Sequence, residues 1–310
     1  MHVMAGVMLD AQGRVLLAQR PPGKHLAGMW EFPGGKLEAG ELATSGLTRE
    51  LREELGIEAT PDEPLIRIPW RYGERLLLLD AWTVRRWRGQ PVSLEGQALQ
   101  WCDPAAVDLA ILAPADRPIL RALQLPWRYP ITPADVGPEA FDAWRGRLAQ
   151  ALEAGERLLL LRFPHWPHER VRELARALQP LALARGAQLM LSGDVEGARE
   201  LGSSVGVQLK AHQLMALDAR PLPWHQWIGA SCHDAGDMAR AAVVADFATL
   251  SPVAATATHP DQAPMGWNAF HRLVDAAALP AYALGGMQGE DLARAREAGG
   301  QGVAGIRGFW

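Results

Sequence analysis

The sequence predicts a protein of two domains, mixed α/β and α+β in class, with a (β/α)8 barrel as its second domain. Its 310 residues correspond to two domains at roughly 150 residues each. The segment LPWRYP at 125–130 marks a change of pattern, which places the predicted domains at 1–127 and 128–310. Beyond it, short apolar runs alternate with helical stretches rich in Ala, Arg and Glu, as in a parallel α/β fold.

Eight strand candidates in the second half favour a closed barrel of the TIM type. They lie at 129–132, 158–163, 188–191, 205–209, 227–231, 243–249, 281–284 and 302–306. Helices are predicted at 139–154, at 167–185 and near 195–201.

The first half has shorter and more varied elements. Residues 3–9 and 15–19 predict two strands of a hairpin around a polar turn. Further strands are predicted at 65–69 and 75–84, and the four leucines at 76–79 are typical of a buried strand. A helix is predicted to begin at Thr44 or Ser45 and to end at Gly56.

This helix carries an acidic arc, Glu50, Glu53 and Glu54, beside a leucine stripe, Leu47, Leu51 and Leu55. Like charges at this spacing destabilise a helix by roughly 0.2–0.5 kcal/mol per pair. A bound divalent cation explains the acids, because carboxylate oxygens suit magnesium or manganese. The alternative is a solvated acidic face.

The spacing from Gly35 to Ile57 is G, five residues, E, seven residues, then R-E-apolar-any-E-E-any-G-apolar. It matches the Nudix box at every specified position. The preceding WEFPGGK at 30–36 resembles the segment that leads into the box in MutT-type members. The resemblance implies an α/β/α sandwich with a mixed sheet. It also implies a hydrolase that uses Mg²⁺, or Mn²⁺ as an alternative, to split a diphosphate joined to another group.

The resemblance also implies the roles of individual residues. The implied metal ligands are the Gly34 carbonyl, Glu50, Glu53, Glu54 and, from a later loop, Glu95. The acidic arc and Arg49 form the catalytic set. Arg49 orients the carboxylates, and Glu53 or a neighbouring acid accepts a proton from water. The implied substrate contacts are Arg20, Phe32, Lys36, Arg75 and Asp116.

A MutT-like substrate would be 8-oxo-dGTP, cleaved to 8-oxo-dGMP and diphosphate in the sanitation of oxidised purine nucleotides. Asp116 departs from the purine-reading asparagine of bacterial members. An ionised carboxylate only accepts hydrogen bonds, whereas a protonated one also donates. Two alternatives stay open: hydrolysis of another diphosphate, such as a thiamine-related one, and a metal-dependent nucleotide sensor without turnover.

The second half resembles the thiamine phosphate synthase/TenI family in a series of short segments. They are YPITP at 129–133, SCH at 231–233, SPV at 251–253, TAT at 256–258, MGW at 265–267, LGGM at 284–287 and GVAGI at 302–306. Ser192-Gly193-Asp194 replaces the Asn-Asp-Arg triplet of active synthases. Gln208-Leu209-Lys210-Ala211 replaces His-Leu-Gly-Gln, and His259 replaces a lysine. These departures predict that the domain does not make thiamine phosphate.

Two hypotheses remain for this half: a domain that binds a thiamine-related ligand, or a structural and interaction domain. In the first, His233 is an acid/base group, and Gly285, Gly286 and Gly305 contact a phosphate. In the second, the histidine packs and the glycines form tight turns.

Composition narrows the partners and the location. A net charge of −4 gives no basis for binding a nucleic-acid polymer or an acidic membrane. Cys102 and Cys232 lack the neighbours of a metal or redox motif, which fits a reducing compartment. No secretory signal or apolar run of roughly 18 residues is present. We therefore expect a cytoplasmic protein that meets free nucleotides.

Overall fold

The computed structural model describes residues 1–256 and 262–310. The predicted motif positions 257–259 lie outside the described residues. The chain divides into two compact units, Met1–Gln124 and Leu125–Trp310, so the division falls three residues before the predicted boundary at 127. No helix among the described residues has both the length and the apolarity to cross a bilayer.

The first unit contains eight strands and two α-helices among its residues. They are β1 (His2–Met8), β2 (Val15–Gln19), β3 (Trp30–Glu31), α1 (Ala43–Leu55), β4 (Glu58–Thr60), β5 (Pro64–Tyr72), β6 (Arg75–Val84), β7 (Arg86–Arg88), β8 (Leu99–Cys102) and α2 (Arg117–Gln124). In the mixed sheet β1-β6-β5, β1 is parallel to β6 and β5 is antiparallel to β6. The antiparallel groups β3-β2-β8 and β4-β7 complete the unit.

The predicted hairpin of residues 3–9 and 15–19 holds only next to its turn, at the bridge between Leu9 and Val15. Past that point β1 and β2 join different sheets, because β1 pairs with β6 and β2 pairs with β3 and β8. The leucine run is also less buried than predicted, since Leu76 is 56% exposed while Leu79 is 5% exposed.

In the described residues of the second unit, 125–256 and 262–310, eight parallel strands form a barrel with seven α-helices between them. Its elements are β9 (Arg128–Pro130), α3 (Phe141–Glu153), β10 (Leu158–Leu161), α4 (His168–Ala184), β11 (Gln188–Ser192), α5 (Val195–Leu201), β12 (Val205–Leu209), α6 (Ala211–Ala216), β13 (Ile228–Cys232), α7 (Ala235–Val244), β14 (Phe247–Leu250), α8 (Gly266–Asp275), β15 (Ala281–Ala283), α9 (Leu292–Glu297) and β16 (Gly302–Gly305). The strand order runs from β10 through β16 to β9.

The barrel closes where Ile131 forms a parallel bridge with Leu160, which confirms the predicted architecture. Its interior contains a cluster of aromatic rings, including Tyr129, Phe247 and Tyr282, whose centroids lie 5.5–5.7 Å apart. The strand predicted at 243–249 begins too early, because residues 243 and 244 end α7. Val243 is 60% exposed, so β-branched composition alone misplaced this boundary.

Candidate active site

Helix α1 presents the acidic arc because the leucine stripe on its other side is fully buried. The helix begins at Ala43, and Leu42 occupies the N-cap without a side-chain hydrogen bond. The predicted start at Thr44 or Ser45 was therefore wrong by one or two residues. Gly56 ends the helix as predicted, with φ of 66°, and its N–H donates to the Arg52 carbonyl.

Arg49 connects the acids of this region. Its guanidinium donates to both carboxylate oxygens of Glu41 at 3.1 and 3.0 Å, to Glu50 at 2.8 Å and to Glu53 at 3.2 Å. A further bond reaches the Lys36 carbonyl at 2.9 Å. Hydrogen bonds to Glu41 and Glu50 raise the pKa of Arg49 above its ordinary value. These contacts fit the predicted role of orienting carboxylates.

Gly34 and Gly35 bring the loop backbone close to the acidic arc. A Cβ atom on Gly35 would overlap the Glu50 carboxylate, and one on Gly34 would overlap the Met4 carbonyl. The Gly34 N–H donates to Glu54 at 3.0 Å. Two adjacent glycines are therefore needed for the loop and the carboxylates to approach each other this closely.

The Gly34 carbonyl differs from the carbonyls on either side of it. Pro33 accepts from the Gly6 N–H at 2.8 Å, and Gly35 accepts from the Met4 N–H at 2.7 Å. Among residues 1–256 and 262–310, no group donates a hydrogen bond to the Gly34 carbonyl. This oxygen has the chemistry of the predicted metal ligand.

Negative charge accumulates around Glu54. Burial raises the pKa of this carboxyl to about 7, and the charges of Glu31, Glu95 and Glu50 add to the effect, although the Gly34 N–H opposes it. A divalent cation would neutralise this charge, and the donors are the hard oxygens that Mg²⁺ prefers. The chemistry of these residues therefore fits the predicted ion.

The predicted ligands do not all converge. Within the described ranges, no three His, Cys, Asp or Glu side chains are placed to hold a metal ion together. Glu53 is 59% exposed and pairs with Arg49, while Glu95 pairs with Lys24 at 3.3 Å. Two of the acids thus contact cationic side chains, and the complete ligand set stays a prediction.

A second group of predicted residues meets beside Asp116. This side chain is 5% exposed, and it accepts a hydrogen bond from the Phe32 N–H at 2.9 Å. Phe32 is itself buried, and Arg20 forms an ion pair with Glu31. Burial, followed by the charge of Glu31, raises the pKa of Asp116 to about 8. At neutral pH the buried carboxyl of the free protein is therefore mostly protonated.

Tyr72, on β5, completes this group. Its hydroxyl interacts with the Ala115 backbone and lies near the charges of Asp116, Arg20 and Glu31. Its ring packs edge-on against His25 at 5.1 Å. The structure therefore places an aromatic side chain beside Asp116, the predicted purine-reading residue.

The remaining predicted substrate contacts stand apart from this group. Arg75 lies at the exposed start of β6, and Lys36 is exposed beside the glycine loop. Neither side chain forms an ion pair or hydrogen bond with the residues that the structure describes. Their roles stay predictions.

In the barrel, His233 follows β13 at the carboxyl ends of the strands. Its Nδ1 lies 2.8 Å from the Ser251 carbonyl and therefore donates to it, which leaves Nε2 of the neutral ring as an acceptor. Gly285 and Gly286 have φ of 93° and 69°, and Cβ atoms there would contact the 252–255 backbone. A Cβ on Gly305 would overlap the Phe309 ring. All three glycines thus have a packing role, and phosphate contact stays a prediction.

Asp194 has a structural set of partners. It accepts two hydrogen bonds from Arg172, at 2.7 and 2.8 Å, and it caps α5 through the Gly197 N–H at 3.0 Å. Burial opposes ionisation, but these bonds lower the pKa of Asp194. The one acid of the altered triplet is therefore already neutralised by an arginine.

Arg162 lies at the carboxyl end of β10. Its backbone N–H donates to the Thr132 hydroxyl at 2.7 Å, which fixes its position. Its Nη1 atom is buried without a hydrogen-bond partner in the described parts of the chain. Burial lowers the pKa of Arg162, because it disfavours the charged guanidinium.

Sequence reasoning missed four residues of these groups: Glu31, Glu41, Tyr72 and Arg162. Glu31 lies in the matched segment 30–36, and Glu41 lies in the matched segment 35–57. Both could have been predicted as site residues, because they are close in sequence to residues that were. No local pattern distinguishes Tyr72 or Arg162, since their importance depends on contacts made across 30 residues or more.

These features define a chain with two functional units: an acidic helix facing a glycine loop, and an eight-stranded barrel. The family model described as NUDIX domain matches residues 4–122, and the model described as thiamine monophosphate synthase matches residues 129–309. The chain therefore belongs to both families, as predicted from its motifs.

Individual relatives agree with this division. The CTP pyrophosphohydrolase of Escherichia coli is 44% identical over 38% of this chain and 88% of its own length. An 8-oxo-dGTP diphosphatase of Haemophilus influenzae is 35% identical over 39% of this chain and 90% of its own length. The thiamine-phosphate synthase of Laribacter hongkongensis is 34% identical over 50% of this chain and 74% of its own length. The predicted enzyme class, a hydrolase of phosphoric anhydrides, is confirmed.

Proposed function

We propose that the first unit is a Mg²⁺-dependent pyrophosphohydrolase that converts 8-oxo-dGTP and water to 8-oxo-dGMP and diphosphate. The observation that carries this proposal is the approach of Glu50 and Glu54 to the Gly34–Gly35 loop, where negative charge is left unneutralised. Mn²⁺ is the alternative ion, because it also favours carboxylate oxygens.

The proposed ligands are the Gly34 carbonyl, Glu50, Glu53, Glu54 and Glu95. The bound ion supplies charge neutralisation of the phosphates and a more acidic attacking water. Arg49 keeps the carboxylates oriented through its bonds to Glu50 and Glu53. Glu53 is the exposed acid of the arc and accepts the water proton, unless a neighbouring carboxylate does so. Water attacks the β-phosphorus, and the nucleoside monophosphate leaves.

The protonated Asp116 carboxyl supplies what an 8-oxopurine needs. The 8-oxopurine base has an N–H at N7 and a carbonyl at C6, so it requires one hydrogen-bond acceptor and one donor from the protein. One Asp116 oxygen accepts from Phe32 and retains a second lone pair, and the protonated oxygen can donate. Unmodified guanine has a lone pair at N7, so it loses one of these two bonds.

The pH dependence of turnover tests this assignment. The donor to the C6 carbonyl is present below the raised Asp116 pKa of about 8 and is lost as pH rises through it. We expect kcat/KM for 8-oxo-dGTP to fall by about tenfold between pH 7 and 9.5 relative to Asp116→Asn, the effect of losing one hydrogen bond. Guanine has the same C6 carbonyl, so the preference for 8-oxo-dGTP over dGTP should not fall over this range.

Asp116→Asn is the matched control, because its amide donates at every pH and so keeps this hydrogen bond as pH rises. The same pH profile for 8-oxo-dGTP in both proteins, or equal efficiency on both nucleotides, would reject the assignment.

CTP is a second candidate substrate, because two acids, Glu31 and Asp116, lie in the group of residues around Asp116 that would contact the base. An ionised carboxylate accepts from the exocyclic amino group of cytosine. The relative named for CTP hydrolysis also favours this test. CTP turnover should rise with pH through about 8, opposite to 8-oxo-dGTP turnover.

An activity assay that includes thiamine diphosphate beside the nucleotides tests the remaining enzyme alternative, hydrolysis of a thiamine-related diphosphate. Nucleotide binding without product formation would support a sensor.

For the barrel, we propose binding of a phosphorylated thiamine-related ligand. The proposal is supported by the buried Arg162 Nη1, which has no hydrogen-bond partner among the described residues, and by the oriented His233. Calorimetric titration with thiamine phosphate, and with its pyrimidine and thiazole precursors, should give heat. Arg162→Gln should abolish that heat, whereas Arg145→Gln, on the exposed side of α3, should retain it. The absence of heat with every ligand would favour a structural role.

A further inference from the structure

Two cationic residues follow the interior positions of strands β10 and β12, at the carboxyl end of the barrel, which we call the barrel mouth. Side chains alternate in direction along a strand. Leu160 belongs to the interior cluster of β10, and Arg162 is the next residue on that side. Gln208 of β12 is interior because its amide oxygen accepts from Tyr129, a member of the same cluster, and Lys210 comes next on that side. Interior side chains of alternate strands share layers in such barrels, so the mouth carries two cations.

Lys210 is the single lysine between residues 125 and 310. Its side chain is exposed and forms no ion pair or hydrogen bond with residues 1–256 and 262–310. The stem of the side chain lies over Gly193 at the end of β11, where a Cβ atom would be 3.0 Å from the Lys210 Cε. Because β11 lies between β12 and β10, the stem extends from its own strand towards the strand of Arg162.

Gln213 holds the two loops at this position together. Its Nε2 donates to the Gly193 carbonyl at 2.8 Å, and its Oε1 accepts from the Lys210 backbone N–H at 3.1 Å. The backbone around the lysine is therefore fixed by hydrogen bonds, while the amine stays available to a ligand.

Two hydroxyl groups on the next strands continue the row of donors. Lys210 and Ser231 directly follow the last registered pair of β12 and β13, and Ser231 pairs with Thr249 of β14. Gln208 Nε2 donates to both hydroxyl oxygens, at 3.2 and 3.3 Å. Each hydroxyl keeps its own O–H to donate, and no acceptor for it lies in the described part of the chain.

This donor set indicates an anionic ligand. Arg162 has a buried Nη1 without a partner among the described residues, Lys210 adds a second positive charge, and the two hydroxyls add further donors. Asp194, the acid that follows β11, is bound by Arg172 and does not cancel these charges. A phosphate monoester carries about −1.5 to −2 charges and three acceptor oxygens, which match two cations and two hydroxyls.

We propose that Lys210 supplies the second positive charge for a phosphate monoester in the barrel mouth, so that this phosphate binds without a divalent cation. The inference rests on the ligand binding proposed for the barrel and names the charge that holds the phosphate. Inorganic phosphate and thiamine phosphate share this chemistry, and the experiments below separate them.

Calorimetric titration of the full chain in EDTA, with thiamine phosphate and with thiamine, tests the role of Lys210. We expect Lys210→Met to weaken binding of thiamine phosphate by about tenfold, as for one lost charge-assisted hydrogen bond, with no change for thiamine. Lys210→Arg keeps the charge and should recover part of the loss. Arg185→Met, which removes the exposed arginine after α4, should bind both compounds as the unaltered protein does.

Three results of this titration would overturn the proposal. They are binding of thiamine phosphate that requires Mg²⁺, equal binding of it by Lys210→Met and the unaltered protein, and an equal loss of affinity for both compounds in Lys210→Met.

Labelling of the unaltered chain with an amine-reactive ester, followed by peptide mass spectrometry, tests the site without a substitution. In EDTA, inorganic phosphate should slow the labelling of Lys210 relative to chloride of equal ionic strength, while labelling of Lys24 stays unchanged. If thiamine phosphate gives no heat but inorganic phosphate protects Lys210, the thiamine-related ligand fails and the phosphate site stands. If thiamine phosphate binds but leaves the labelling of Lys210 unchanged, this inference fails alone.

Discussion

The acidic arc of α1 and the barrel position near Asp194 show opposite treatments of buried charge. Around Glu54, burial and then the neighbouring carboxylates raise the pKa, so a bound cation would stabilise the ionised form of this carboxyl. Asp194 is neutralised within the protein by Arg172 and caps a helix. The comparison teaches that a buried carboxylate indicates ligand binding only where no cationic side chain of the protein already neutralises it.

The largest expected effect is in the acidic arc. Glu53→Gln keeps the size of the side chain but removes its charge, so kcat should fall by about 10²- to 10⁴-fold, as for loss of a general base. Steady-state assays with 8-oxo-dGTP and Mg²⁺ measure it. Glu58→Gln, an exposed acid on β4, is the matched control and should retain full activity. Retained activity in Glu53→Gln would show that the acidic arc, like the barrel position at Asp194, is not needed for catalysis.

The close approach at the glycine loop gives the next effect. The added methyl of Gly35→Ala would overlap the Glu50 carboxylate, which is the movable end of a side chain. We expect kcat/KM to fall by about 100-fold through displacement of Glu50, with little change in the free energy of unfolding. Gly146→Ala, in the interior of α3 where a Cβ meets no atom within 4 Å, should leave kcat/KM unchanged and should stabilise the barrel slightly. Unchanged kcat/KM in Gly35→Ala would show that the approach is not needed for catalysis.

The barrel should respond in stability rather than in nucleotide hydrolysis. Asp194→Ala removes two arginine bonds and a helix cap, so the free energy of unfolding of the barrel should fall by about 2 kcal/mol. Because the Asp194 pKa is lowered on folding, its contribution is present above the ordinary value of 3.8 and is lost as pH falls below it. Denaturant titrations at pH 7 and pH 3 measure both effects. A large loss of nucleotide turnover would contradict the assignment.

The smallest effect concerns the Lys24–Glu95 contact. Lys24→Ala frees the Glu95 carboxylate from an exposed ion pair. Such pairs are worth about 0.2–1 kcal/mol, so the Mg²⁺ concentration for half-maximal rate should fall by at most about fivefold. Lys36→Ala is a comparison variant, expected to raise KM for the nucleotide instead. A higher Mg²⁺ requirement in Lys24→Ala would argue against Glu95 as a ligand.

Features that depend on residues near each other in the sequence were predicted from sequence patterns. The leucine stripe predicted the buried side of α1, and Gly56 predicted its end, because both follow from helical spacing and backbone angles. Eight apolar runs predicted the barrel, since each strand is buried by its neighbours. The family resemblance implied that Phe32 and Asp116 both contact the substrate, and the structure joins these two residues by a hydrogen bond.

Contacts between distant segments could not be predicted in this way. The separation of β1 and β2 into different sheets depends on competition from β6 and β8 for pairing. The raised Asp116 pKa depends on burial and then on the charge of Glu31, 85 positions earlier in the chain. Leu76 lies two residues before Leu78, where the pairing of β6 with β1 begins, and hydrophobicity does not specify where that pairing begins.

The most direct measurement incubates the full chain with Mg²⁺ and a panel of 8-oxo-dGTP, dGTP, CTP and thiamine diphosphate, and identifies the products by chromatography. We predict rapid conversion of 8-oxo-dGTP to 8-oxo-dGMP with one diphosphate per monophosphate. Release of single phosphates from the triphosphates, or no hydrolysis of any compound, would contradict the account.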